Sequence, residues 1–213
     1  MRILNPPRLE VELNQIWQRL GYDDSALVPT RIHQAFTQAL EIGQGLLESA
    51  ACYDIFSIAG ITSSSVKLKG ISFESRELAA RCRGAEELVA FIVTIGPRLE
   101  ERVEQLLPTE PTVALILDGY GSEAVVALAR RVRAAIQEYA DSKGYRVGER
   151  YCPGYGDWDT KEQQKLFSLL EGDRIGVKLG PGFMMYPRKS YAGVLPLGPE
   201  VLEVRPDERC CRG

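Results

Sequence analysis

Four short apolar runs close the chain: Ile175-Gly176-Val177-Lys178-Leu179, Phe183-Met184-Met185-Tyr186, Tyr191-Ala192-Gly193-Val194-Leu195 and Val201-Leu202-Glu203-Val204. Turn residues separate them, Gly180-Pro181-Gly182 among them, and no helical pattern intervenes. Strands joined only by turns pair as hairpins, so these runs predict antiparallel neighbours. Upstream, Leu88-Val89-Ala90-Phe91-Ile92-Val93-Thr94-Ile95 is a continuous run of β-formers, which predicts a strand buried on both faces. Asp54–Ala59 and Ser65–Leu68 read as two more strands.

Helical patterns stand apart from these strands. Leu9, Leu13, Ile16 and Leu20 predict a helix from Pro7 to Leu20, closed by Gly21. Thr30 is placed to cap a second helix to about Ala50, with Ile32, Phe36, Leu40, Gly43 and Leu47 on one face. Ser75 caps a short helix to about Cys82, and Pro97 opens one to about Leu107. The longest helix runs from about Thr112 to Lys143. Its stripe is Leu117, Gly121, Ala124, Leu128, Val132, Ile136 and Tyr139, and Gly144 ends it. Asp159 caps a last helix to about Leu170. Helices that do not alternate with strands predict an α+β fold, a largely antiparallel twisted sheet with packed helices. The 213 residues contain no linker, which predicts one domain over 1–213, with N-terminal helices at about 7–50 packed on it.

Composition removes several function classes. Lys and Arg number 26 against 29 Asp and Glu, so there is no basic excess for a nucleic-acid backbone. No apolar run approaches the roughly 18 residues of a membrane span, and Met1–Pro7 lacks a signal-peptide core. The expectation is a cytoplasmic protein with no nucleic-acid or membrane partner. The single histidine, His33, would have to serve any Ser-His-Asp, Cys-His or histidine-rich metal site. Its place beside the apolar face of the second helix predicts a partly exposed helix residue instead. The five cysteines are scattered and odd in number, which predicts reduced thiols. Cys52 and Cys82 read as small buried hydrophobes. Cys210 and Cys211 offer two ligands, too few for a closed zinc or iron–sulfur site, and read as an uncommitted tail. No metal is expected. There is no P-loop, and Gly119-Tyr120-Gly121-Ser122 reads as a close-packing spot on a helix.

One segment concentrates chemistry: Arg150-Tyr151-Cys152-Pro153-Gly154-Tyr155-Gly156-Asp157-Trp158. Pro-Gly forces a turn that exposes backbone amides. Arg150 offers a planar fork for a carboxylate, and Tyr155 and Trp158 offer flat faces for a purine or a cation. S-adenosylmethionine carries all three groups. The same residues also read as a structural turn with aromatic packing and a surface arginine.

Arg150-x-x-x-Gly154-Tyr155 resembles the R-x-x-x-G-Y signature of the S-adenosylmethionine-binding activation domain of cobalamin-dependent methionine synthase. The string from Pro153 to Trp158, with Gln164, Leu166-Phe167 and Leu170, looks like the free-standing version of that domain. So do Ile175–Leu179 and Phe183–Ser190. Leu20-Gly21-Tyr22, Thr94-Ile95-Gly96 and Asp118–Ser122 fall where such proteins carry similar motifs. The resemblance covers most of the chain.

The resemblance implies an activation-domain-like fold, with Arg150, Cys152, Pro153, Gly154 and Tyr155 binding S-adenosylmethionine and Tyr155 facing a corrin. It implies an accessory protein that supports reductive methylation of cobalt(II) cobalamin on a separate methionine synthase. A flavodoxin-type or other low-potential donor would supply the electron. Catalysis would be positioning, with no catalytic side chain of the chain's own. The sequence has no D-x-H-x-x-G, so cobalamin would arrive only on the partner. Three positions depart from the family pattern. Cys152 stands where many relatives have Ser. Val126 stands where they often have an acid, the nearest being Glu123. Leu195 stands where the fused enzymes have Tyr. Two other readings use the same residues: a non-enzymatic sensor of adenosylated ligands, and a reductive activator of another corrinoid protein.

Overall fold

The computed structural model describes residues 1–6, 8–22 and 28–202. In chain order its first elements are β1 (Arg2–Leu4), α1 (Leu13–Arg19), α2 (Thr30–Gln44), β2 (Ala50–Ile61), β3 (Ser65–Leu68), β4 (Ile71–Glu74), α3 (Arg76–Arg81) and β5 (Glu87–Thr94). There follow α4 (Arg98–Leu106), α5 (Pro111–Lys143), β6 (Arg146–Val147), α6 (Gln163–Leu169), β7 (Lys178–Leu179), β8 (Met185–Tyr186) and β9 (Ser190–Gly198). The main sheet has the order β4-β3-β2-β5-β9-β6, with β1 on the outer edge of β2, and β7 and β8 form a separate hairpin. Every neighbouring pair is antiparallel. The α+β class and the antiparallel sheet are as the sequence predicts.

The central strands are apolar on both faces because each face carries a core. Val89, Phe91 and Val93 of β5 join Ala51, Tyr53, Leu195 and Leu197 under α1, α2, α4 and α5. Leu88, Ala90 and Ile92 point the other way, with Cys52, Ala192 and Val194, against α3, α6 and Trp158. Alternation along one strand thus serves two layers.

α5 spans the first of these layers. It is long and apolar enough to cross a membrane by length and composition, yet 67% of its most apolar window is buried within the protein. Gly121 is the close-packing spot: a Cβ there would lie 2.6 Å from Leu99 of α4. The ring of Tyr120 in turn occupies the space a Cβ on Gly43 of α2 would need. Gly144 ends α5 in the left-handed region, at φ 67°.

Several boundaries differ from the sequence reading. α1 starts at Leu13: Leu9 and Val11 pack on the core from an extended segment. Thr30 is the first residue of α2, behind Pro29, and its side chain makes no cap; α2 ends at Gln44, because Ala50 is already paired with Thr94. Ile175 closes a 3-10 turn, and Gly176 at φ 75° breaks the alternation that mimics a strand, so only Lys178 and Leu179 pair there. In the next run only Met185 and Tyr186 pair. Val201 lies in a bend, and residues 203 onward, with Cys210 and Cys211, lie outside the described residues, as does Pro7. β1, β4 and β6 are strands the sequence did not announce.

Cys52 and Cys82 are fully buried, as expected. Burial raises their thiols from the usual 9.0 to about 11 and about 12. The thiolate is the nucleophile, so both should resist iodoacetamide at pH 8 in the folded protein and react once urea unfolds it. Peptide mass spectrometry would read this, and rapid native labelling of either would contradict it. Raised values favour the protonated folded form. Their contribution to stability is therefore complete below pH 9.0 and is lost as pH climbs toward about 11 and 12.

Candidate functional site

The segment from Gly148 to Trp158 crosses the β9 edge of the sheet beyond β6. Arg133 of α5 fixes its start, donating from its two terminal nitrogens to the Gly148 carbonyl (2.6 Å) and the Val147 carbonyl (2.8 Å). Tyr151 then forms a one-residue antiparallel bridge with Val194, each amide donating to the other's carbonyl at 3.0 and 2.9 Å. This crossing splits the segment between the two layers. Tyr151 and Trp158 enter the core under α3 and α6, whereas Arg150 and Cys152 meet Tyr191.

Tyr191 organises that second group. The Arg150 guanidinium carbon lies 5.1 Å from its ring centroid, a cation–π distance, and the ring itself rests tilted on Phe91 at 5.9 Å. The Cys152 thiol donates to its hydroxyl. Two positions further along β9, Gly193 supplies the clearance: a Cβ there would meet the Cys152 sulfur at 2.5 Å and the Tyr151 carbonyl at 2.8 Å. Nothing local in the sequence marks Tyr191 or Arg133 as part of this cluster, since both act through contacts set by the fold.

Pro153 is buried and Gly154 turns the chain outward at φ 93°, a conformation that favours glycine. The Gly154 amide donates to the Trp158 carbonyl at 2.7 Å and the Trp158 amide to the Tyr155 carbonyl at 3.0 Å, closing a compact turn. Tyr155 is left 37% exposed at its tip. Trp158 corrects the sequence reading. It is 1% exposed, stacked on Tyr151 at 5.6 Å and edge-on to Phe73, so it offers no face to a ligand.

α3 holds the far side of the turn. The Ser75 side chain caps this helix as predicted, accepting from the Leu78 amide. Asp157 accepts from the Ser75 hydroxyl and from two backbone amides, and the Ser75 bond leads in holding its carboxyl below the usual range. Burial first, and the neighbouring Glu77 next, push the Tyr151 phenol well above its ordinary value.

Across from the segment, Ser122, Val126 and Arg133 share one face of α5 by helical spacing. Lys189 donates to Ser122 at 2.9 Å and pairs with Asp118 at 2.8 Å. Val126 therefore lies between two anchored positions, half-buried and without charge. Glu123 does not take the place of an acid there. It is 4% exposed and accepts from Arg19 of α1 at 2.8 Å, one residue round the helix. Leu195 is buried in the core. His33 is exposed on α2 and meets the edge of Trp17 at 5.2 Å. A concavity of about 780 Å³ lies elsewhere, lined by residues 167–174 and 177–179, Glu171 and Arg174 among them, and it contains none of the Arg150–Tyr155 group.

Superposed on solved structures, the chain matches the crystal structure of the MetH reactivation domain bound to AdoHcy, with a TM-score of 0.72 over 96% of this chain and 80% of that one. The chain has the reactivation-domain fold. Sequence identity to that structure is 14%. A methionine synthase of Mycobacterium tuberculosis (strain ATCC 25618 / H37Rv) is 31% identical over 54% of this chain, a match that spans 11% of that protein's length. No protein-family model matches. In this chain the Arg150 guanidinium rests on Tyr191 of β9, and Tyr155 sits exposed on the turn that α3 holds.

Proposed function

We propose that this chain binds S-adenosylmethionine at Arg150, Cys152, Pro153, Gly154 and Tyr155. In this reading it supports the reductive methylation of cobalt(II) cobalamin carried by a separate methionine synthase, with an electron from a flavodoxin-type or other low-potential donor. The observation that carries this reading is the placement of Arg150 against Tyr191, beside an outward Pro-Gly-Tyr turn, in a reactivation-domain fold. The residues suit the ligand. A guanidinium steadied by a ring presents its fork to a carboxylate, and the exposed Tyr155 face suits a sulfonium or a purine. When bound, S-adenosylmethionine supplies the methyl group. The chain's own part is to hold that ligand, keep Tyr155 at the tip facing the partner's corrin, and exclude water there. No side chain need act as nucleophile or base.

Calorimetric titration with S-adenosylmethionine tests the binding site. Loss of a charge-assisted bidentate pair costs about 1.5–3 kcal/mol, so Arg150→Ala should weaken affinity roughly ten- to a hundredfold while the protein stays folded. Equal affinity in the mutant would remove Arg150 from the site. The accessory role is tested with a methionine synthase lacking its own reactivation domain, S-adenosylmethionine and a low-potential reductant. If the cobalt(II) enzyme recovers equally fast without this protein, a ligand-sensing role replaces the accessory one.

A further inference from the structure

We infer that Asp157 is a positioning residue for the ligand turn, holding Tyr155 in place from α3; this rests on the reading of Arg150–Tyr155 as the ligand site. Asp157 comes two residues after Tyr155. One carboxylate oxygen accepts from the Ser75 hydroxyl at 2.5 Å and the Glu77 amide at 3.2 Å. The other accepts from the Arg76 amide at 2.8 Å, and the Arg76 guanidinium stands 3.5 Å away. Ser75 takes part in both directions, donating to Asp157 while accepting from the Leu78 amide at 3.0 Å.

The near end of the turn reaches the same helix. The Tyr151 hydroxyl lies 3.0 Å from the Glu77 carboxylate and 2.8 Å from the Tyr155 carbonyl. Gly156 fits between because it has no Cβ; one would collide with the Tyr151 hydroxyl and the Glu77 carboxylate. Both flanks of Tyr155 are therefore fastened to α3, and Tyr155 itself stays 37% exposed. The turn's internal bonds set its shape; the Tyr151–Val194 bridge docks its base on the sheet, and the Asp157 contacts fix its outer end on α3. A turn fixed before binding spares the ligand the cost of ordering it.

The test uses the full chain with Asp157→Ala and Asp157→Asn, read by two methods. Titration with S-adenosylmethionine should show affinity reduced roughly three- to tenfold in Asp157→Ala. Asn keeps one acceptor oxygen, so Asp157→Asn should recover part of the loss. Chymotrypsin, with mass spectrometry mapping the cut between Tyr155 and Gly156, should nick Asp157→Ala several-fold faster than wild type without ligand. A melting temperature shared by both proteins separates positioning from general loosening. If Asp157→Ala fails to fold, the smaller losses expected of Asp157→Asn carry the test. Wild-type binding with unchanged affinity and nicking in the mutants overturns this inference and leaves the site standing. Absence of binding in wild type overturns the ligand reading itself, and faster nicking would then show the turn held by Asp157 with no ligand to serve.

Discussion

Trp158→Ala is expected to destabilise the protein by about 3–5 kcal/mol, the usual cost of emptying a large aromatic site. The indole is 1% exposed and stands between two rings, stacked on Tyr151 (5.6 Å, 11° between planes) and edge-on to Phe73 (5.5 Å, 85°). Arg81 extends the stack, its guanidinium carbon 4.6 Å from the Tyr151 ring centroid. Removing the indole leaves Tyr151 without its inner support and opens a cavity beneath the turn that carries Tyr155. Trp158→Phe should cost far less. The buried indole N–H has no hydrogen-bond partner among the described residues, so the phenyl variant loses volume but also sheds an unsatisfied donor. Urea unfolding of the two variants reads the contrast. An alanine variant within 1 kcal/mol of wild type would mean that the ring stack is not what supports the turn.

Gly193→Val should be comparably severe, for a geometric reason. A Cβ at this position meets the Cys152 sulfur at 2.5 Å, the Tyr151 carbonyl at 2.8 Å and the Phe91 ring at 3.2 Å. Two of these neighbours belong to the crossing segment, and the third is a core ring with no room to retreat. The segment must lift away from β9, and the paired hydrogen bonds between Tyr151 and Val194 go with it. Overpacking of about 1–3 kcal/mol, together with two hydrogen bonds at about 0.5–1.5 kcal/mol each, gives roughly 2–6 kcal/mol. Cys152 and Arg150 leave Tyr191 in the same movement, so the S-adenosylmethionine binding proposed for this segment should vanish even in material that remains folded. Hydrogen exchange at the Val194 amide is the direct measure. Protection retained in Gly193→Val would show that the segment stays docked and that the clearance is not needed.

The residues most legible in the sequence are those whose signal is local. Leu88–Ile95 reads as a doubly buried strand because an unbroken run, apolar but for Thr94 and rich in β-branched residues, has no polar face, and Ser75 reads as a cap because capping is decided within one turn. β1, β4 and β6 were illegible because strands of three, four and two residues carry almost no period; they exist through their partners β2, β3 and β9. The candidate site divides the same way. The Pro153-Gly154 turn and the guanidinium of Arg150 are visible as residue types. Tyr155 and Trp158 look alike in sequence, and only the Tyr151–Val194 bridge decides which ring faces water. Nothing local marks Asp157 as an anchor, because its partner Ser75 lies 82 residues earlier in the chain.

β5 gives the two layers a common wall. Val89, Phe91 and Val93 fill one layer while Leu88, Ala90 and Ile92 fill the other, and all six are essentially inaccessible to water. The same backbone hydrogen bonds to β2 and β9 hold both sets of side chains in register. The helical bundle on one side and the turn-bearing layer on the other therefore share one strand, and the expected result of damage beneath Trp158 is loss of hydrogen-exchange protection in α2 as well as in α3.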